Sequence, residues 1–262
     1  MANYGIDVSK WQGGIDWQQV AGAGIQFAMI RASYGSDGKD PYFSLNMQNA
    51  PAAGIHCGAY HYCYALSVEE AKREADHFLN TIAPYSFSYP VALDIEDPSM
   101  RSLGKAAITD IALAFVQAVQ EAGYYVCIYS NANWFTTNLE LERLSEYDLW
   151  LAQWADAPTF EGDYGIWQYT SKGQLPGISG NVDRNLSYRD YPSIISNKGL
   201  NQAKDPGSTP SAPSTDPSPS PSGSYTVKSG DTLSQIAVDY GVSLQELLNA
   251  NPSISDPNLI RP

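Results

Sequence analysis

Apolar residues alternate with small or polar ones in a series of short runs, and a period of two marks strands with a buried face. This pattern predicts strands at Tyr4–Val8, Gln26–Ala32, Cys57–Tyr64, Pro90–Glu96, Tyr125–Ser130, Asp148–Gln153 and Gly165–Tyr169. Helical spacing appears between the early runs. Val68, Ala71, Ala75, Phe78, Leu79 and Ile82 form one apolar face behind a capping box of Ser67 and Glu70. Ala107, Ile111, Ala114, Phe115, Ala118, Val119 and Ala122 repeat the pattern, and Gly123 ends it. Asp16 and Gly24 bracket a shorter helix. After about residue 148 long helices disappear and strands follow each other closely. The expectation is an α/β fold: a parallel barrel that degenerates into plain strands at its end.

Residues 205–223 break both periods. Six prolines alternate with Ser, Thr and Asp, without a large apolar residue. Such a segment buries too little surface to offset its ordering entropy and reads as an extended linker. Beyond it, Tyr225–Val227 reads as a short strand. Leu233, Ile236, Ala237 and Tyr240 form one helix face, and Leu244, Leu247 and Leu248 another. The expected organisation is a barrel over 1–200, a linker over 201–223 and a small module over 224–262.

Composition narrows the possible functions. The chain has 262 residues and 43% hydrophobic content, enough for a large core. Its net charge is −13, which argues against a nucleic-acid binder and against electrostatic adhesion to anionic membranes or wall polymers. No signal-peptide pattern opens the chain and no apolar run approaches a membrane span, so synthesis in the cytoplasm is expected, with action elsewhere only after release. Cys57, Cys63 and Cys127 fit neither a disulfide framework nor a metal motif and read as small buried hydrophobes.

The candidate chemistry is acidic. In Pro90-Val-Ala-Leu-Asp94-Ile-Glu96, strand alternation points Asp94 and Glu96 to one face, and Pro98 ends the strand beyond them. Ligands bind at that end of strands in parallel α/β folds. Two close carboxylates in a cleft cannot both ionise freely, so one holds a proton while the other stays charged. Glycosidic cleavage uses that division. A solvated strand end or a metal site are alternatives, although His56, His61 and His77 do not cluster with the pair. If the barrel closes, Asp7 on the first strand and Asp183 near the end lie on adjoining walls. Aromatic residues concentrate near strand ends: Tyr60, Tyr62, Tyr34, Tyr129, Trp150, Trp154, Trp167 and Tyr169. Their faces suit sugar rings.

Taken in order, Gly5-Ile-Asp7-Val-Ser-Lys-Trp11-Gln-Gly, Gly58-Ala-Tyr60-His-Tyr62, Leu93-Asp94-Ile-Glu96, Trp167-Gln-Tyr169 and Asn181-Val-Asp183 resemble the family 25 glycoside hydrolases, lysozymes of the Chalaropsis type. The resemblance covers roughly residues 3–190. It implies a flattened (β/α)5β3 TIM-like barrel and cleavage of the β-1,4 bond from N-acetylmuramic acid to N-acetylglucosamine in peptidoglycan. It further implies that Glu96 is the general acid, Asp94 its partner, and Asp7 and Asp183 further acids of the site, with Tyr62 facing the substrate. Whether Asp94 acts on water or orients the substrate's own 2-acetamido group stays open. Residues 225–262 resemble a LysM module, a βαα(β) fold that binds N-acetylglucosamine-containing glycans, here without its final strand. Gly230, Asp231, Thr232 and Asn251 are its expected glycan contacts. The combined expectation is a monomeric, cofactor-free and metal-free peptidoglycan hydrolase, endolysin-like, whose partner is the glycan strand. A chitinase-type glycosidase and a non-catalytic glycan-binding protein are the rivals.

Overall fold

The computed structural model describes residues 2–204 and, beyond them, Val227, Leu233, Ile236, Leu247, Ala250, Asn251 and Ile254. The chain divides into two units, Met1–Thr209 and Pro210–Pro262. In the first, elements follow in the order β1 (Asn3–Val8), α1 (Trp17–Gly22), β2 (Phe27–Tyr34), β3 (Gly38–Lys39), α2 (Phe43–Ala52), β4 (His56–Tyr62), α3 (Val68–Ile82), β5 (Val91–Asp94), α4 (Lys105–Glu121), β6 (Val126–Asn131), α5 (Ala132–Thr137), β7 (Asp148–Ala152), β8 (Ile166–Gly173), β9 (Val182–Ser187) and α6 (Tyr191–Lys198). Eight strands close into a barrel in the order β1-β2-β4-β5-β6-β7-β8-β9, and β3 is a flap on β2. All neighbours are parallel except β9, which runs antiparallel to both β8 and β1. Five strand–helix pairs are followed by three strands without intervening α-helices, the predicted (β/α)5β3 pattern.

Capping chemistry sets the helix starts. Asp16 accepts the Gln19 N–H at 3.1 Å, and Ser67 Oγ accepts the Glu70 N–H at 3.2 Å. The expected capping box is half formed: Glu70 Oε2 accepts from Leu66 N, one residue before the cap. Gly123, with φ +85°, takes the left-handed turn that ends the α4 region.

Two apolar clusters reflect strand alternation. Ile6, Val8, Ile30, Leu93, Ile128 and Leu151 belong to the outer one, with Phe78 of α3 and Phe115 of α4. Phe27, Met29, Ala92, Cys127, Trp150 and Ile166 belong to the inner one, closed at the base by Tyr89, Tyr191 and Ile195. Glycines make room for the large inner side chains: a Cβ on Gly5 would overlap the Phe27 ring, and one on Gly58 would come within 2.6 Å of Met29 Sδ. All three cysteines are free and buried.

Behind the inner layer, on the outer face, Ser33 Oγ lies 2.8 Å from His61 Nδ1, and His61 Nε2 lies 2.9 Å from Glu74 Oε2. This polar chain ties β2, β4 and α3 together. A bulge in β2 makes it possible. Arg31 pairs with Tyr60 but Ser33 pairs with His61, so Ala32 is the extra residue and Ser33 turns outward.

The barrel does not stop at residue 200, where the sequence reading ended it. Asn201 is fully buried and sits in the left-handed region at φ 59°. Its side chain accepts the Tyr125 N–H at 2.6 Å and donates to Tyr89 O at 2.9 Å, while its backbone bonds Gly123 and Phe87. Lys204 N then donates to Ala83 O at 2.7 Å. A linker beginning at 201 is therefore corrected: residues 201–204 belong to the packed base.

Candidate active site

The inward alternation of every strand delivers polar groups to the C-terminal mouth of the parallel strands. There a cleft of about 350 Å³ is lined by Asp7, Asp94, Glu96 and Asp183, with Arg31, Tyr60, Tyr62, Tyr129, Trp150, Trp154 and Gln168 among its walls. Barrel closure brings the outermost pair together: Asp7 and Asp183 are register partners across β1 and β9.

Asp7 is held on both sides by amides. Gln168 Nε2 donates to its Oδ2 at 2.9 Å and Asn185 Nδ2 to the same oxygen at 2.8 Å. Those amides are oriented in turn. Gln168 Oε1 accepts from Tyr129 Oη and from Trp154 Nε1, and Asn185 Oδ1 accepts from Trp150 Nε1 at 2.8 Å. Two aromatic-to-amide relays thus converge on one carboxylate. Burial, and then the charge of Asp183, push Asp7 well above the ordinary carboxylate range. Asp183 is pushed up to about 6, chiefly by burial. The charge of Asp183 adds to the rise of Asp7, and the contact with Asp7 holds Asp183 down against its burial, so the two carboxyl groups titrate as a pair.

Asp94 ends β5 and is 6% exposed. Burial raises it well above the usual range, and Glu96 and Asp7 add to the effect while Arg31 opposes it. Its Oδ1 has no hydrogen-bond partner. Glu96 lies just past the strand rather than on it, in a turn fixed by Ser130 Oγ donating to Ile95 O at 2.7 Å. Burial raises Glu96 too, against donation from Asn131. Asn131 Nδ2 reaches Glu96 Oε2 at 2.9 Å while its Oδ1 caps α5 by accepting the Trp134 N–H. One helix cap thereby aims the acid.

Tyr62 donates to Asp97 Oδ2 at 3.1 Å, and Tyr60 and Tyr129 pack their rings on Trp150 at 5.9 and 4.6 Å. Trp154 and Trp11 stand at the rim, 63% and 76% exposed. Of the residues expected in the site, Asp7, Asp94, Glu96, Asp183, Tyr60, Tyr62, Tyr129 and Trp154 meet in this cleft. Two do not. Trp167 points outward into the barrel–helix core, its Nε1 donating to Gln153 O, because its neighbours Ile166 and Gln168 take the inward positions. Tyr34 lines an adjacent hollow with Tyr64 and Glu70, its ring against Gly38 and 5.5 Å from the Arg31 guanidinium. Gly230, Asp231 and Thr232 lie outside the described residues. Asn251 is described, and its Nδ2 donates to Leu247 O at 2.8 Å.

Arg31, Asn131, Gln168 and Asn185 were not anticipated. Gln168 had a signal, since strand alternation with Ile166 inside requires it inside. Asn185 had none, because the β9 sequence Val-Asp-Arg-Asn-Leu-Ser does not read as a strand. Among the described residues, no three His, Cys, Asp or Glu side chains converge as a metal site.

Comparison with known proteins gives this arrangement a family. The pattern described as Glycosyl hydrolases family 25 matches residues 6–178, and that of the LysM domain matches residues 225–262. Lysozyme M1 of Streptomyces globisporus is 34% identical over 190-odd aligned positions, covering 69% of this chain and 66% of its own length. The crystal structure of the bacterial lysozyme from Streptomyces coelicolor superposes with a TM-score of 0.66 at 32% identity, covering 75% of this chain and 96% of that one. The CTP1L endolysin superposes with a TM-score of 0.67 at 30% identity, covering 74% and 70%. With its closed barrel and acidic cleft, the chain belongs to glycosyl hydrolase family 25, as a glycoside hydrolase of the muramidase type carrying a C-terminal LysM domain.

Proposed function

We propose that this protein cleaves the β-1,4 bond between N-acetylmuramic acid and N-acetylglucosamine in bacterial peptidoglycan, with the LysM domain holding it on the wall. The observation that carries the reading is the cleft itself: the carboxyl groups of Asp94 and Glu96, two residues apart and both raised by burial, walled by tyrosine and tryptophan. Glu96, raised by burial, protonates the leaving glycosidic oxygen. Asp94, deeper and beside it, stabilises the positive charge that develops on the sugar. The Asp7–Asp183 pair, both raised by burial, adds two further carboxyl groups to the wall of the cleft. Trp154 and Trp11 offer exposed faces for sugar rings at the rim. Tethering by the LysM domain raises local substrate concentration without new catalytic contacts. Similarity to an endolysin supports a phage lysis enzyme that reaches the wall after release from the infected cell.

The test is product analysis on purified wall. The unmutated protein is expected to clear the suspension and release reducing muramic acid ends. Glu96→Gln should lower kcat by about 10²–10⁴-fold while leaving wall binding intact. Reducing glucosamine ends, or no clearing by the unmutated protein, would reject the assignment.

A further inference from the structure

A single residue holds the Glu96 carboxyl. Asn131 Nδ2 donates to Glu96 Oε2 at 2.9 Å, and no other described side chain hydrogen-bonds it. Oε1 is left to the cleft that Glu96 lines. The two phenols that face Glu96 are spent elsewhere: Tyr62 donates to Asp97 and Tyr129 to Gln168.

The orientation of the Asn131 amide is not free. Asn131 ends β6 and is the N-cap of α5, where its Oδ1 accepts the Trp134 N–H at 3.0 Å. Trp134 and Phe135 are buried, which anchors α5 on the barrel. With Oδ1 committed to the helix, Nδ2 is the atom that meets Glu96. β5 and β6 pair up to Asp94 and Tyr129, and Ser130 Oγ then fixes Ile95 O, so the acid and its donor sit on one framework.

A neutral carboxyl has one oxygen that carries the proton and one that only accepts. The amide nitrogen gives hydrogens and accepts none, so it pairs with the accepting oxygen. We propose that Asn131 is the positioning residue of Glu96: it holds Oε2 as the acceptor and so places the acid's proton on Oε1, the oxygen left for the substrate. This assignment rests on the muramidase reading for what the proton does. In that reaction the proton passes from Oε1 to the glycosidic oxygen. The bond from the sugar carbon to that oxygen breaks, its electron pair stays on the oxygen, and Glu96 is left a carboxylate. The same N–H then steadies the new charge.

Nothing else around Glu96 supplies this donor. Asp94 faces it from β5, Asp183 from β9, Tyr62 from β4 and Tyr129 from β6, with Asp97 next in the chain. Asp7 of β1 and Arg31 of β2 line the same cleft, and Arg31 Nε is bound to Asp40 at 2.9 Å. Burial pushes Glu96 up, and donation from Asn131 opposes it.

The experiment follows the Glu96 side-chain carboxyl by carbon-13 NMR titration in the full chain, its signal identified by its loss in Glu96→Gln. Asn131→Gly removes the amide and keeps a serviceable helix start, since glycine is an accepted N-cap. Asn131→Asp keeps the cap and the shape and puts an acceptor where the donor was. The Glu96 midpoint should rise by about 0.5–1 pH unit in Asn131→Gly, and further in Asn131→Asp. On purified wall, kcat should fall about tenfold in Asn131→Gly and more in Asn131→Asp, with KM changed little. The alkaline limb of kcat/KM should move up with the midpoint. A loosened α5 alone would lower activity at every pH and leave the midpoint in place, and that result overturns the proposal. So does an Asn131→Asp variant that turns over like the parent, which decides the matter alone if the glycine variant fails to fold. Should the unmutated chain release no muramic ends, the muramidase reading fails, and the titration still decides whether Asn131 holds Glu96.

Discussion

Asn201 offers the sharpest test of how the base of the barrel is held. Replacing it with Ala removes the acceptor for Tyr125 N and the donor for Tyr89 O, both in the buried base of the fold. Each backbone group left without a partner costs about 1–3 kcal/mol. The residue also sits at φ 59°, where Ala pays about 1 kcal/mol or more for its Cβ. The sum is about 3–7 kcal/mol, a large share of the roughly 5–15 kcal/mol that keeps a domain folded. For a domain of this size that corresponds to a Tm lower by about 6–28 °C. Glycine accepts the same backbone without strain, so Asn201→Gly should be about 1 kcal/mol less destabilised than Asn201→Ala, the reverse of the usual order. Tryptophan fluorescence in a urea titration reads this directly, because all six tryptophans lie between positions 11 and 167 and none in the LysM domain. An alanine variant within about 1 kcal/mol of the parent, or a glycine variant weaker than alanine, would refute the account.

Other outcomes follow from packing and charge. Gly58→Ala places a Cβ against Pro90 O and within 2.6 Å of Met29 Sδ, and should cost at least about 1–3 kcal/mol in the same titration. Adding Met29→Ala should recover only part of this, since the Pro90 contact is backbone. Asp183, pushed up to about 6 in the folded state from an ordinary value of 3.8, destabilises the native state progressively as pH rises from about 4 through 6. Asp183→Asn should therefore be inactive yet more stable than the parent at pH 7.5, with the gain gone at pH 4. A gain independent of pH would show that ionisation is not its cause.

The sequence carried the strands whose two faces are both apolar or plainly alternating, because burial imposes the period directly. It carried Asp7, Asp94 and Glu96 because each interrupts such a run. What escaped it was polar structure inside the barrel. β9 exposes Asp183, Asn185 and Ser187 to one side, so its hydrophobic signal is weak although it completes the site. Trp167 was assigned to the cleft for its ring, whereas parity with Ile166 gives that place to Gln168. Tyr34 sits beyond a bulge, and a one-residue insertion in pairing is invisible to alternation. Asn201 and the Asn131–Glu96 pair depend on contacts between segments far apart in sequence, which no local pattern records.

The register of β1 against β9 has a consequence for when activity begins. The bond from Asn185 to Asp7 spans 178 positions, and the bond from Gln168 to the same carboxylate spans 161. No chain that stops short of β9 contains the finished acid pair. A ribosome that has made four-fifths of the barrel has made an inert protein, and a cleavage in β9 would silence it again. Activity is thus delayed during synthesis by chain topology, because the last barrel strand to emerge is the one that closes the site.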